Sequence, residues 1–275
     1  MPELPEVEVL RRSLEPRLIG RRIERVEVRS PALREPLDRR TLRRRLEGRA
    51  IVGLRRRSKY LLIDVEGDST LVVHLGMSGR LTVAPSGAPV EAHEHLAIDL
   101  AGGERLRLRD PRRFGVAFAA ATAGLLERDP HFVRLGREPL SPPLTGSELA
   151  ALAGGGRGPV KTFLMDAGRL VGVGNIYATE SLFRAGIHPA RSVARIGAGR
   201  WERLAGAVVG VLEQAIREGG TTLNDFADGT GQPGYFQVSL AVYGRDGEPC
   251  PRCGGRIRRL LQSGRSTFYC PACQR

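Results

Sequence analysis

Two places in this 275-residue sequence could do chemistry. The first is the cysteine set, Cys250-x2-Cys253-x16-Cys270-x2-Cys273, which holds every cysteine in the chain. Two thiol pairs at that spacing match a four-thiolate zinc site on a small hairpin or ribbon, and predict one structural Zn2+ ion. Two disulfides are the alternative, disfavoured because no secretory signal precedes them. The second place is the amino end, MPELPEVEVLRR. Removal of Met1 would expose Pro2 as a secondary amine. Its reference pKa of about 8 leaves it unprotonated at neutral pH far more often than a lysine at about 10.4. The carboxylates Glu3 and Glu6 follow at once. Taken alone, the dipeptide is met more simply by a proline that permits methionine removal and starts a helix, and Glu6 stands where a carboxylate stabilises a helix N-terminus.

The partner such groups would meet is indicated by charge. Lys and Arg number 43 against 30 Asp and Glu, a formal charge of +13, and the pI is near 10.7. Arginines cluster at positions 39–45, 55–57, 105–113 and 256–259. Four clusters of one sign point to a polyanion; a membrane-binding protein would concentrate its charge on one amphipathic helix. Apolar residues make up 41% of the chain, but no run approaches the ~20 needed to span a bilayer. The amino end carries acid where a signal peptide carries Lys or Arg. The expectation is a soluble, cytoplasmic protein with no membrane contact.

The elements that must position these residues fall into two styles. After Pro5, Val7, Leu10 and Leu14 recur at helical spacing, with Pro16 near the expected stop. From Ile23 to Phe118 short β-like runs follow (RRIERVEV, KYLLIDV, TLVVHL, HLAIDL, ERLRLR), divided by turns such as the one at 101–104. Their spacing suggests a β-sandwich or barrel. The Pro-, Gly- and Ser-rich stretch 135–158 reads as a linker followed by a short helix and marks a domain boundary. Helical patterns then run over 160–166, 176–185 (stopped by Gly186) and 201–218, where Leu204, Val208, Leu212 and Ile216 share a face. From Asp225 to Tyr235 periodicity breaks.

Six strings in order carry a resemblance: MPELPEVE; HLGMSG from His74; LRDPRRFG from Leu108; GVGNIYATESLFRAGIHP from Gly172; PGYFQVSLAVYGRDGEPC from Pro233; and the terminal GRSTFYCPACQ. Together they resemble the formamidopyrimidine-DNA glycosylases nearly end to end. The resemblance implies an α+β fold: an N-terminal β-sandwich catalytic domain over 1–135, a helix-two-turns-helix DNA-binding domain with a lesion-capping loop over 136–236, and a β-hairpin zinc finger over 237–275. It implies a bifunctional enzyme, a DNA glycosylase and AP lyase. Such an enzyme excises 8-oxoguanine opposite cytosine and formamidopyrimidines from damaged double-stranded DNA, then cuts the strand by β,δ-elimination. It is expected to be a monomer with no redox or nucleotide cofactor. The sequence departs from the family's pattern at Arg137, where a proline is common, on no chemical role.

By resemblance, Pro2 is the nucleophile, and its attack on the sugar C1′ gives a charged iminium that acidifies the neighbouring proton. Glu3 becomes the proton donor and shuttle, with Glu6 supporting. Lys59, His74, Asn175 and Arg265 would pin phosphates around the lesion. Arg265 falls at the expected tip of the zinc hairpin, where a forked guanidinium suits phosphate. Asn175 also suits a helix N-cap, and a helix N-terminus is itself a phosphate site. Lys161 matches a lysine near DNA. A base must be flipped out to be reached; Met77, Arg112 and Phe114 match the residues that fill the hole. Arg112 offers only donors, which suits the N3 and O2 acceptors of an unpaired cytosine. Core packing is the plainer reading of Met77 and Phe114, although both adjoin turn-like glycines. The stretch from Thr221 to Tyr235 resembles the loop that closes over the flipped base.

Two rivals remain. An endonuclease VIII-like glycosylase for oxidised pyrimidines shares the Pro2-Glu3 chemistry, but commonly has glycine where this chain has Leu4 and lacks the segment seen here from Pro233 to Gln237. A non-catalytic zinc-ribbon protein that binds nucleic acid would not need Pro2, Glu3, Lys59 and Arg265 intact.

Overall fold

The amino end winds into helix α1 (Leu4–Leu18), whose Val7, Leu10, Leu14 and Leu18 recur every three or four residues and are all buried. Pro16 lies inside this helix rather than beyond it. So close to the end, its missing N–H and its ring disturb only the last turn. This is a computed structural model, and it describes residues 2–220 and 240–275. The loop expected over 221–235 lies outside the described residues.

Eight strands make two antiparallel four-stranded sheets. One has the order β1 (Ile23–Val28), β6 (Glu94–Leu100), β7 (Glu104–Arg109), β5 (Arg80–Pro85). The other has the order β2 (Ile51–Arg57), β3 (Tyr60–Val65), β4 (Ser69–His74), β8 (Val116–Ala120). Side chains of both sheets, among them Val26, Ile98 and Leu108 from the first and Leu61, Ile63 and Val73 from the second, share one apolar core with the inner face of α1. This is the sandwich alternative of the sequence reading. Each fully buried leucine or valine contributes about 1.5–3 kcal/mol relative to exposure, so this core carries the unit. Helix α2 (Arg39–Leu46) holds an arginine cluster in sequence, yet its Leu42 and Leu46 bury against the same core. Asp38 caps it by accepting from the Thr41 N–H at 3.1 Å.

The described residues cluster into two compact units, one of residues 2–133 with 218–220 and the other of 134–217 with 240–275. A one-turn helix, α3 (Leu125–Arg128), closes the first. The second holds α4 (Gly146–Ala153), α5 (Val160–Leu164), α6 (Asn175–Ala185), α7 (Ala198–Arg217) and the hairpin β9 (Arg258–Gln262) with β10 (Arg265–Tyr269). Thr145 and Glu148 form a capping box at the start of α4, and Gly186, in the left-handed region at φ 71°, ends α6. Ser263 and Gly264 both have positive φ (49° and 72°), the pair of conformations a two-residue hairpin turn demands. Among the described residues no helix is long and apolar enough to cross a membrane.

Candidate functional site

In the first unit the amino end is tightly held. Pro2 is buried, Glu3 is 3% exposed and Glu6 1%. Glu3 is the N-cap of α1, and its N–H donates to Glu6 Oε2 at 2.7 Å, the reach-back of a capping box. Glu6 therefore fixes the backbone next to Pro2. One turn on, Glu8 pairs with Arg11 at 3.1 Å, Arg12 at 2.8 Å and Arg56 at 3.4 Å. Burial alone would raise its pKa, but the guanidiniums hold it below the usual carboxylate range. The Arg56 pair ties α1 to β2, and β2 leads into the tight turn Ser58-Lys59 before β3. Lys59 thus stands on a hairpin tip, not within a strand; Ser58, at φ 55°, makes the turn.

Beside that turn His74 ends β4 opposite Tyr60, their rings 4.7 Å apart. Its Nδ1 accepts the Gly76 N–H at 3.1 Å. Burial, then the charges of Lys59, Arg34 and His131, push its pKa down to about 4. His74 is consequently a neutral imidazole at physiological pH, with Nε2–H as its remaining donor.

Met77, Arg112 and Phe114 belong to two loops that meet, residues 75–79 and 110–115. Met77 is 38% exposed, Phe114 is 45% exposed, and Arg112 is exposed with its guanidinium carbon 5.2 Å from the Phe114 ring centre. Neither apolar side chain is a core residue. A Cβ on Gly76, whose φ is 61°, would lie 2.4 Å from the Phe114 carbonyl carbon, so only glycine permits this approach.

The second unit is organised by buried polar groups. Asn175 is the first residue of α6 and Gly174 its N-cap, a correction to the capping role expected of Asn175. The Asn175 side chain instead accepts from Lys161 Nζ at 2.5 Å and donates to Ser266 O at 3.0 Å, tying the helix start to the hairpin. Lys161, expected near DNA, is 1% exposed, and its ammonium also donates to Thr267 Oγ1 at 2.6 Å. It supports Asn175 and the hairpin from inside. Arg265 opens β10 directly after the turn and is exposed.

Below the hairpin the four cysteine sulfurs all lie within 4.8 Å of one another. Cys250 to Cys273 spans 3.9 Å and Cys253 to Cys270 3.5 Å. These are not disulfide distances. A tetrahedron with Zn–S bonds of about 2.3 Å has edges of about 3.8 Å, so the cluster fits one zinc ion. Burial, then hydrogen bonding among the neighbouring sulfurs, pushes the Cys273 thiol up to about 12; a dication among the four sulfurs would offset the repulsion of their thiolate forms.

Comparison with known proteins decides what this arrangement belongs to. Residues 1–117 match the model of the formamidopyrimidine-DNA glycosylase N-terminal domain, 135–227 that of the family's H2TH domain, and 247–275 that of a zinc finger found in FPG and IleRS. The chain is 49% identical over 275 residues to a formamidopyrimidine-DNA glycosylase of Xanthomonas oryzae pv. oryzae and 47% identical to one of Magnetococcus marinus, each covering 100% of both chains. Its fold is similar to that of a Lactococcus lactis FPG variant solved with DNA containing Fapy-dG (TM-score 0.91, 33% identity, 100% of both chains). It is also similar to the FPG protein of Thermus thermophilus (TM-score 0.88, 40% identity, 99% of this chain and 98% of that one).

The chain belongs to the formamidopyrimidine-DNA glycosylase family. It is a base-excision DNA glycosylase and AP lyase with a four-cysteine zinc finger.

Several residues of this glycosylase that hold the site in place escape a sequence reading. Asp110 and Ser78 join the two loops at 2.7 Å. Glu180, 5% exposed on α6, accepts the N–H groups of Ala241, Val242 and Tyr243 at 2.8–3.0 Å; burial raises its pKa against those three donors. Gln274 accepts the Cys270 N–H and donates to Ile187 O, both at 2.9 Å, fastening the zinc knuckle beneath α6. The one available signal was position, since Glu180 and Gln274 both fall within the quoted strings.

Proposed function

We propose that this glycosylase excises oxidised purines, 8-oxoguanine opposite cytosine and formamidopyrimidines, from damaged double-stranded DNA, through an iminium on Pro2. The observation that carries the reading is the amino end itself: a buried Pro2 whose following residue is fixed through Glu6, with the Glu3 carboxyl beside it. Once Met1 is removed, the Pro2 nitrogen adds to the sugar C1′ as the C1′ bond to the base breaks. Glu3 gives a proton to the opening sugar. The resulting iminium draws electrons from C2′, so the C2′ proton becomes acidic and the 3′ phosphate leaves by β-elimination; δ-elimination then releases the 5′ phosphate.

Lys59, His74, Asn175 and Arg265 take the phosphates. Each supplies a different donor: an ammonium on a turn, a neutral N–H, an amide at a helix start and a fork on a hairpin tip. Met77 and Phe114, exposed and apolar, fill the space of the flipped base. Arg112 meets the orphan cytosine. Damaged DNA is thus the partner, and the enzyme works as a monomer in the cytoplasm.

Cleavage of duplexes carrying 8-oxoguanine opposite cytosine, or an oxidised pyrimidine, tests the reading. Faster cleavage at 8-oxoguanine is expected. Preference for the pyrimidine would favour the endonuclease VIII-like activity, and no cleavage of either would favour a binding protein.

A further inference from the structure

Asp110 and Ser78 touch nothing that reacts, yet they sit where the loops carrying Met77, Arg112 and Phe114 meet. Asp110 is 0% exposed and Ser78 5%. The Asp110 carboxylate accepts the Ser78 hydroxyl at 2.7 Å through one oxygen and the Gly115 N–H at 2.7 Å through the other. Ser78 Oγ in turn accepts the Arg112 N–H at 3.1 Å. A relay therefore runs from the Arg112 main chain, through a hydroxyl on the neighbouring loop, to a buried carboxylate. A hydroxyl that donates to a carboxylate is polarised into a better acceptor, so the two bonds strengthen one another.

Asp110 is itself held. Its N–H donates to His93 O at 3.0 Å, its carbonyl accepts the Arg113 N–H at 3.2 Å, and His95 Nε2 lies 3.0 Å from that same oxygen. Arg113, between the two displayed side chains, has a φ of 59°. The backbones touch on the other side of the relay, at Gly76 against Phe114.

The geometry points to Asp110 and Ser78 as positioning residues that set discrimination of the base opposite the lesion, by locking the Arg112 main chain in register with the Met77 loop. The inference rests on the reading of Arg112 given above. The Arg112 guanidinium lies over an exposed ring and is otherwise in solvent, so its placement is inherited from its main chain. A forked contact to a base edge tolerates little displacement. A loosened main chain lets the same guanidinium settle on phosphate, which no base sequence distinguishes. Loss of the relay should thus erode choice between opposite bases more than it erodes binding.

The test is single-turnover excision of 8-oxoguanine paired with cytosine and with adenine, at one salt concentration, for the wild type, Ser78→Ala, Arg112→Ala and the double variant. Ser78→Ala is expected to lower the cytosine-to-adenine ratio of rates roughly 3- to 10-fold, and Asp110→Asn to lower it as well. In the Arg112→Ala background, removing the Ser78 hydroxyl should change the ratio no further, because the two act as one unit. If Ser78→Ala slows both duplexes equally, or its effect multiplies with that of Arg112→Ala, the relay is only structural and the inference falls. An unchanged ratio in Arg112→Ala would overturn the reading of Arg112 itself. A lowered ratio there with an unchanged one in Ser78→Ala would overturn this inference alone.

Discussion

The two units of this glycosylase solve one problem, holding polar side chains still, by opposite means. The first does it from outside a large apolar core. Its sandwich of leucine, isoleucine and valine side chains is complete without any functional residue, and Lys59, Met77, Arg112 and Phe114 ride on turns and loops at its edge. The second has a small finger core, in which Phe183, Val242, Ile257 and Phe268 pack with Cys250 and Cys270. There the residues proposed to take phosphates are tied into the scaffold: Asn175 is bonded to Lys161 and to the hairpin, and the hairpin rests on the zinc site. A core made of hydrocarbon can be decorated freely. A display tied to thiolates and buried polar side chains cannot be touched without moving what it presents.

The comparison predicts its own failures, and the largest concerns the metal. Cys250→Ser or chelation should unfold the finger and weaken binding to damaged DNA on the order of 100-fold, because thiolate–zinc bonds supply the folding energy of so small a unit. The thermal transition of the sandwich should survive. Calorimetry alongside a gel shift decides it; a sandwich that melts with the metal would erase the distinction.

Lys161→Met probes the same unit from within. Methionine fills the volume but leaves the Asn175 and Thr267 oxygens without their donor, at a cost of about 2–4 kcal/mol. Denaturant unfolding should register that loss, and DNA affinity should fall with it although Lys161 is buried. Unaltered affinity in a destabilised protein would show that Asn175 needs no support.

In the first unit Gly76→Ala should separate display from core. Its Cβ would stand 2.4 Å from the Phe114 backbone at a φ of 61°, a strain of about 1–3 kcal/mol that the loops can relieve by parting. Excision should slow while formation of the iminium on a preformed abasic site persists. Equal loss of both would mean that these loops and the amino end are not independent.

Near neutral pH the smallest effect is set by titration. His74 stays neutral in the folded protein down to about 4, whereas the unfolded chain takes up its proton near 6.5. Between those values the unfolded state binds more protons, so stability falls as pH drops from about 6.5 towards 4 and is unaffected by His74 above that window. The imidazole resonances should not titrate between pH 5.5 and 7.5. A midpoint near 6.5 would make His74 a charged phosphate ligand instead.

What the sequence disclosed follows the same division. The strands β1, β3, β4, β6 and β7 were legible, because β-like apolar runs report a core directly. The strand β2 was not. Its IVGLRRR carries three arginines, and only the structure shows Arg55 paired with Asp64 and Arg56 with Glu8. The cysteine spacing announced the metal because ligand geometry is local. Lys161 and Asp110 could not be placed, since a lysine in a helix and an aspartate before a proline are surface residues by default. Their partners stand 106 and 32 residues away in sequence. Roles for Pro2, Glu3, Met77, Arg112 and Phe114 came from resemblance, and the structure adds where each stands.

In the proposed mechanism the chemistry belongs to the amino end of the first unit. Trapping with borohydride on DNA that carries 8-oxoguanine, followed by peptide mapping, tests it most directly. One adduct is expected, on the Pro2 nitrogen of chains whose intact mass shows that Met1 is gone. An adduct on Lys59 or any other lysine, or strand cleavage by protein that retains Met1, would contradict it.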